Sequence, residues 1–381
     1  MKFAHISDTH LGQTQYHEQE REDDMYRALK EAADIAIRDH VDFVVLSGDL
    51  FDKPSPSGRA IVAFAKILKH LKNSDIKTYF ILGEHDISRI RETPVAHVYD
   101  RLGVATHIGD GIPIKHKNVL LVGFDKMRSD ELPHHEDRFA EIDAVAKQHD
   151  GHRILVMHQG VTEVNKFAGE IAVGDMPKTF SYYAMGHLHN RFEKRFDALG
   201  GILAYPGSTE ITSVEGIHGT KKGFYEVDIS TNEATMQWIG LDTRPHLVFD
   251  VEYANLASHV NKIATEIMAL KKRPVVKINI SGSSIDVGML HETSTPIRDV
   301  ALYLKLVASR TETNDDGEVI NEKPVHMDVE RTRLTEKALG DNTLSKFALE
   351  ELLPLLSAGK IEEALKLVYS DYEKFRKGRI K

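Results

Sequence analysis

Residues 3–12 read Phe3-Ala4-His5-Ile6-Ser7-Asp8-Thr9-His10-Leu11-Gly12, an apolar run that breaks off at Asp8 and His10. The same form recurs twice. Residues 42–47 run into Gly48-Asp49-Leu50-Phe51-Asp52, and residues 77–82 into Gly83-Glu84-His85-Asp86. Between these strand-like runs lie two stretches of helical period. One is 20–39, with Met25, Leu29, Ala32, Ala33 and Ala36 on one face; the other is 59–71. A β-α-β-α-β order predicts a parallel sheet covered by helices. Ligands of such sheets gather beyond the carboxyl ends of the strands, which is where the polar clusters fall.

Further apolar runs follow at 119–124, 153–158, 182–185, 202–205, 223–229 and 234–239. Their closer spacing and Gly and Asn turns predict a second, more antiparallel sheet. The expected class is α/β, with two sheets flanked by helices. Thr243-Arg244-Pro245 marks a boundary that ends a first domain at 1–243. Runs at 246–251, 275–280 and 299–305, with a helical pattern at 254–270, predict a small α+β domain over 246–330. Residues 312–322 are polar and read as a loop within it. The region 331–381 is helical in pattern, with Leu344, Phe347, Leu352, Leu353, Ile361, Leu365, Val368, Tyr369 and Phe375, and it ends in a basic tail.

The 381 residues exceed what one core usually serves, in keeping with several domains. No apolar run is long enough for a membrane-spanning helix. The N-terminus lacks the apolar segment of a secretory signal, and cleavage there would remove Asp8 and His10. Absence of cysteine excludes disulfides and thiolate metal sites and fits a cytoplasmic protein. A net charge of −9 argues against a whole-surface clamp for nucleic acid, so any phosphate binding needs local patches, metals or a more basic partner.

Five polar clusters end predicted strands: Asp8-Thr9-His10, Gly48 to Asp52, Gly83 to Asp86, Met157-His158-Gln159-Gly160, and Gly186-His187-Leu188-His189. In extended backbone, residues two apart share a face, so Asp8 with His10, and His187 with His189, can each address one ion. Carboxylate with imidazole suits manganese, iron or zinc better than calcium. An isolated Asp-x-His is usually a surface accident, and a lone histidine such as His158 is usually a hydrogen-bonded one. Five such clusters in series make a metal site the better reading.

The order D-x-H, G-D-x-x-D, G-x-H-D, H and G-H-x-H resembles that of the calcineurin-like metallophosphoesterases. Finer matches resemble their SbcD (Mre-eleven) nuclease branch: residues 3–12, Gly48-Asp49-Leu50-Phe51-Asp52, His158-Gln159-Gly160-Val161, Tyr182 to His189, and Tyr205-Pro206-Gly207-Ser208. The resemblance implies a two-sheet αββα sandwich as nuclease domain, a capping domain at 246–330, and a C-terminal element that docks an SMC-like ATPase of the SbcC type. It implies two metal ions, usually manganese. Asp8, His10, Asp49 and His189 would hold one, and Asp49, Glu84, His158 and His187 the other. It gives His85 the catalytic role beside the metals, with Asp52 orienting it; a helix or turn cap is the other reading of Asp52. Position 84 departs from the pattern, which normally has asparagine there.

The resemblance also implies a homodimer, through residues such as Ile61, Phe64, Leu68 and Val98, and DNA contacts, for which His17, Arg89 and Arg191 are candidates. The activity it implies is manganese-dependent exonuclease and endonuclease cleavage in double-strand-break repair, in a cytoplasmic, nucleoid-associated protein. The alternatives are a phosphoesterase on small phosphate esters and a weakly catalytic DNA-tethering scaffold.

Overall fold

The opening run forms strand β1 (Lys2–Ile6), whose side chains divide between two cores. Ala4 and Ile6 face one side and Phe3 the other, the alternation that a strand imposes. In the computed structural model, residues 1–88, 93–212, 215–217, 219–313, 319–321, 344, 347–353, 355, 361 and 363–369 are described. Helix α1 (Gln19–Arg38) follows, burying Met25, Ala28, Leu29, Ala32, Ala33 and Ala36 at three- and four-residue spacing. Strand β2 (Phe43–Ser47) leads to α2 (Gly58–Asn73), whose first turn is capped by Ser57 accepting from the Ala60 N–H at 3.2 Å. Strand β3 (Lys77–Ile81), α3 (His97–Arg101) and β4 (Thr106–His107) complete the parallel part of the first sheet.

Next come β5 (Ile114–His116), β6 (Val119–Phe124), α4 (Glu136–Lys147), β7 (Arg153–His158), β8 (Tyr182–Gly186), β9 (Phe192–Arg195), β10 (Ile202–Tyr205), β11 (Gly223–Asp228) and β12 (Thr235–Gly240). The sheets are ordered β12-β11-β1-β2-β3-β4 and β5-β6-β7-β8-β10-β9. This corrects the expected division. β11 and β12 join the first sheet, where β11 runs antiparallel to β1, and the second sheet is parallel through β6, β7, β8 and β10. Phe3, Phe43, Val45, Tyr182, Ile154 and Tyr225 share the core between the sheets. The outer face of one sheet packs on α1 and α2, and that of the other on α4. This is the αββα sandwich. Because both faces of the central strands are covered, they read as unbroken apolar runs. Each fully buried large side chain contributes on the order of 1.5–3 kcal/mol.

The chain forms two compact units, Met1–Arg244 and Pro245–Lys381. In the second, β13 (His246–Glu252), α5 (Leu256–Met268), β14 (Val275–Gly282), α6 (Val287–Thr293), α7 (Thr295–Val300), β15 (Tyr303–Thr313) and β16 (Val319–Asn321) build a four-stranded sheet, parallel except for β16. Val276, Ile278 and Ile280 turn one face of β14 to the helices. The run expected at 299–305 is split, since α7 continues to Val300 before β15 begins. The polar stretch 312–322 is in part paired strand, Thr313 lying opposite Val319, which corrects the expected loop. In the C-terminal region the described residues are helical, with Ile361, Leu365, Val368 and Tyr369 exposed. The basic tail expected at 374–381 lies outside the described residues.

A buried ionic cluster closes the first unit. Asp24 accepts from Arg21 at 2.5 Å and from Arg244 at 2.6 and 3.1 Å, and Arg21 also donates to the Ile211 carbonyl at 2.9 Å. Asp24 is shared by two buried guanidiniums, and removing its charge weakens both pairs, although Arg21 keeps Glu210 and Arg244 keeps Glu20. Asp24→Asn is therefore expected to cost about 3–5 kcal/mol, read as a lower urea midpoint, and an unchanged midpoint would discount the cluster.

Candidate metal centre

The polar clusters lie where the parallel strands of both sheets end. Asp8 and His10 follow β1, Asp49 follows β2, Glu84 and His85 follow β3, His158 ends β7, and His187 and His189 follow β8. The backbone there is not extended. Asp8, His10, Asp49 and His187 have φ of 52°, 42°, 49° and 99°, a region that costs non-glycine residues about 1–3 kcal/mol each. Convergence is thus achieved by left-handed turns at the strand exits and not by the alternation expected from the sequence. The turns are tied to each other, Asp8 N–H donating to the Gly48 carbonyl at 3.1 Å and His10 N–H to that of Asp49 at 3.0 Å. Gly48, at φ 91°, has no room for a Cβ, which would stand 2.4 Å from His158 Nδ1; one on Gly83 would stand 2.1 Å from Asp49 Oδ1.

Among the groups of described side chains whose ligand atoms lie within 4.8 Å of one another, two follow the expected sets: Asp8, His10, Asp49 and His189, and Glu84, His158 and His187; His85 falls in two more, with His10 and Asp52 and with Asp49 and Glu84. His187 and His189 therefore serve different groups. Asp49 Oδ2 stands between them, 3.7 Å from His10 Nε2 and 3.4 Å from His158 Nε2. Glu84 turns inward, its two oxygens 2.9 Å from His158 Nε2 and 2.8 Å from His187 Nδ1. Glu84 Oε2, His158 Nε2 and His187 Nδ1 are buried and lack hydrogen-bond geometry to any described residue. Buried carboxylates and imidazoles aimed at a shared space, with these atoms unsatisfied, fit two divalent cations of the manganese, iron or zinc kind.

The electrostatics point the same way. Burial disfavours charge on His158, yet the Asp49, Glu84 and Asp8 carboxylates hold its proton affinity well above the ordinary imidazole range. Asp49 is pushed down to about 2, because His158 and His10 outweigh its burial. Burial also opposes ionisation of Glu84, but His158 and His187 hold it far below the usual carboxylate range. In this charge field a bound cation would take the place of protons.

Residues behind the ligands fix their orientation. His158 Nδ1 donates to the Ser47 carbonyl at 2.7 Å, which turns Nε2 inward. Thr212 Oγ1 meets His189 Nδ1 at 2.8 Å, and Glu215 accepts from the Thr212 N–H at 2.8 Å. Lys222 bonds Glu215 and donates to the His189 carbonyl at 2.8 Å. Asp86 accepts from the N–H groups of Leu50, Phe51 and Gly83, pinning one strand exit to the next. Burial and the nearby Asp49 push its pKa up to about 7. Sequence reasoning gave none of these a role. Asp86 lay within a quoted cluster, whereas Thr212, Glu215 and Lys222 carry no spacing signal.

His85 Nδ1 donates to the backbone carbonyl of Asp52 at 2.8 Å, while the Asp52 carboxylate accepts from Gln13 at 2.6 Å. The expected dyad is corrected in its bond, since the main-chain carbonyl orients this ring, while the Asp52 carboxylate stands within 4.8 Å and acts on it by charge alone. Burial works against charge on His85, but Asp49 and the Asp52 carbonyl raise its proton affinity above the ordinary value. A cleft of about 730 Å³ opens over His10, Asp49, His85 and Arg191. Arg191 lies on one wall, its guanidinium 5.0 Å from the Trp238 ring centre. His17 is exposed in a turn and is not among the residues lining this cleft. Arg89 lies outside the described residues. Phe64 and Leu68, expected at a dimer interface, are each 1% exposed within the core under α2, which corrects both; Ile61 is half-buried against the same core. The outward apolar side chains are Val62, Val98 and Leu102, at 51%, 38% and 67% exposure.

Residues 1–191 match the calcineurin-like phosphoesterase family. The chain is 31% identical over 331 residues to a protein of Saccharolobus solfataricus named DNA double-strand break repair protein Mre11, covering 83% of this chain and 84% of that one. Proteins of the same name from Sulfurisphaera tokodaii and Thermoplasma acidophilum are 31% and 32% identical, covering 86% and 91% of this chain and 86% and 92% of theirs.

Loss of an orienting partner typically lowers metal affinity 10–100-fold. Thr212→Val should accordingly weaken manganese binding, in calorimetric titration, by about that factor. Wild-type affinity in the variant would show that His189 is positioned without it.

Proposed function

We propose that this chain, which belongs to the calcineurin-like phosphoesterases and within them to the Mre11 family, is a manganese-dependent DNA exonuclease and endonuclease of double-strand-break repair. The observation that carries the reading is Asp49, whose carboxylate stands between two convergent ligand groups as a two-metal site requires. Bound there, the cations supply positive charge against the oxygens of a phosphodiester.

The chain's own residues do the rest. His85, held at Nδ1 by the Asp52 carbonyl, turns Nε2 to the cleft and as an imidazolium protonates the leaving oxygen or holds the scissile phosphate. Arg191, stacked on Trp238, supports a phosphate contact beyond it. The exposed Val62, Val98 and Leu102 support a homodimer formed through α2 and α3. The stripe of Ile361, Leu365, Val368 and Tyr369 supports helix-in-groove docking on an SMC-like ATPase of the SbcC type. Such a partner also supplies the basic surface that a chain of net charge −9 lacks.

His85→Ala should lower manganese-dependent cleavage of end-labelled single- and double-stranded DNA by about 10²–10⁴-fold while manganese binding persists. Nitrophenyl phosphate turnover by the wild type without DNA cleavage would overturn the nuclease reading. Leu102→Glu should shift the sedimentation coefficient from that of a dimer to that of a monomer; an unaltered dimer would place the interface elsewhere.

A further inference from the structure

Glu84 adds a third carboxylate to Asp8 and Asp49, and a lysine stands beside it. Lys126 Nζ lies 3.7 Å from Glu84 Oε2, and its side chain is only 10% exposed. On its other side it bonds Glu170 at 2.5 Å. Glu170 is itself fixed by the Gly160 N–H at 3.1 Å, two residues beyond His158. The backbone carrying the lysine is equally constrained. Lys126 N–H donates to the Leu82 carbonyl at 2.8 Å, and Met127 N–H donates to Gln159 Oε1 at 3.0 Å. A lysine pinned between two carboxylates, with its main chain bound to two strand exits, is not a solvated surface charge.

We propose that Lys126 is a positioning residue that sets the affinity of the Glu84-side metal by dividing its charge between Glu84 and Glu170. Each carboxylate on a metal tightens its binding and lowers the positive charge left for the phosphate oxygens. Lys126 opposes both effects at Glu84, and Glu170 limits how far it does so. The inference rests on the two-metal reading and not on DNA as the substrate.

The test titrates manganese into wild type, Lys126→Met, Lys126→Arg, Glu170→Gln and Lys126→Met in a Glu84→Asn background. Turnover of bis(p-nitrophenyl) phosphate at saturating manganese is measured beside each titration. Lys126→Met should bind manganese roughly tenfold more tightly yet turn over more slowly, a pairing that general loss of structure does not produce. Lys126→Arg should behave as wild type. Glu170→Gln should weaken binding, since the lysine then serves Glu84 alone. In the Glu84→Asn background the effect of Lys126→Met should shrink below about twofold. Unchanged or weaker binding in Lys126→Met, or a tenfold shift that survives Glu84→Asn, overturns the inference. If Lys126→Met does not fold, Glu170→Gln decides, and binding equal to wild type or tighter sinks it. Failure of the wild type to bind manganese would instead overturn the two-metal reading itself.

Discussion

Carboxylates do not gather in a protein interior unless something positive joins them. Asp8 and Asp49 are almost fully buried, Glu84 points inward beside them, and four imidazoles fill the space between. The Asp49, Glu84 and Asp8 carboxylates raise the proton affinity of His158 against the burial that disfavours its charge. The rest of the first unit serves to hold these groups together. Four of the candidate ligands sit in left-handed backbone, a strain that survives only where the surroundings leave no alternative. The cross-bonds between the first two strand exits and the grip of Asp86 on three N–H groups provide that constraint.

Neither sheet alone supplies the centre. The first delivers Asp8, His10, Asp49 and Glu84, and the second His158, His187 and His189, so the site exists only when the faces carrying Phe3, Phe43 and Tyr182 pack together. The constraint extends to α1. Arg21 holds the Ile211 carbonyl, next to the Thr212 that orients His189. A buried ion pair far from the chemistry is thereby part of the support of a ligand.

The candidate ligands are legible because a strand covered on both faces is an unbroken apolar run, and its polar terminus stands out. Thus Asp8, Asp49, Glu84 and His158 could be read at the ends of their runs. Which sheet a strand joins was less visible. β11 follows β10 in sequence but pairs with β1, a long-range choice that its own residues do not announce. Helical period marks α2 as amphipathic without saying which apolar residues face inward: Phe64 and Leu68 lie in the core, and Val62 faces out. Spacing put Asp52 beside His85 but could not distinguish carboxylate from carbonyl. Thr212, 23 residues beyond His189, has no local pattern at all.

The carbonyl on His85 has a consequence for its chemistry. A carboxylate partner would stabilise the imidazolium strongly and make the ring reluctant to release its proton. The Asp52 carbonyl fixes the same tautomer and orientation with a dipole, and the remaining bias toward the charged form comes from the Asp49 carboxylate first, then from those of Glu84 and Asp52.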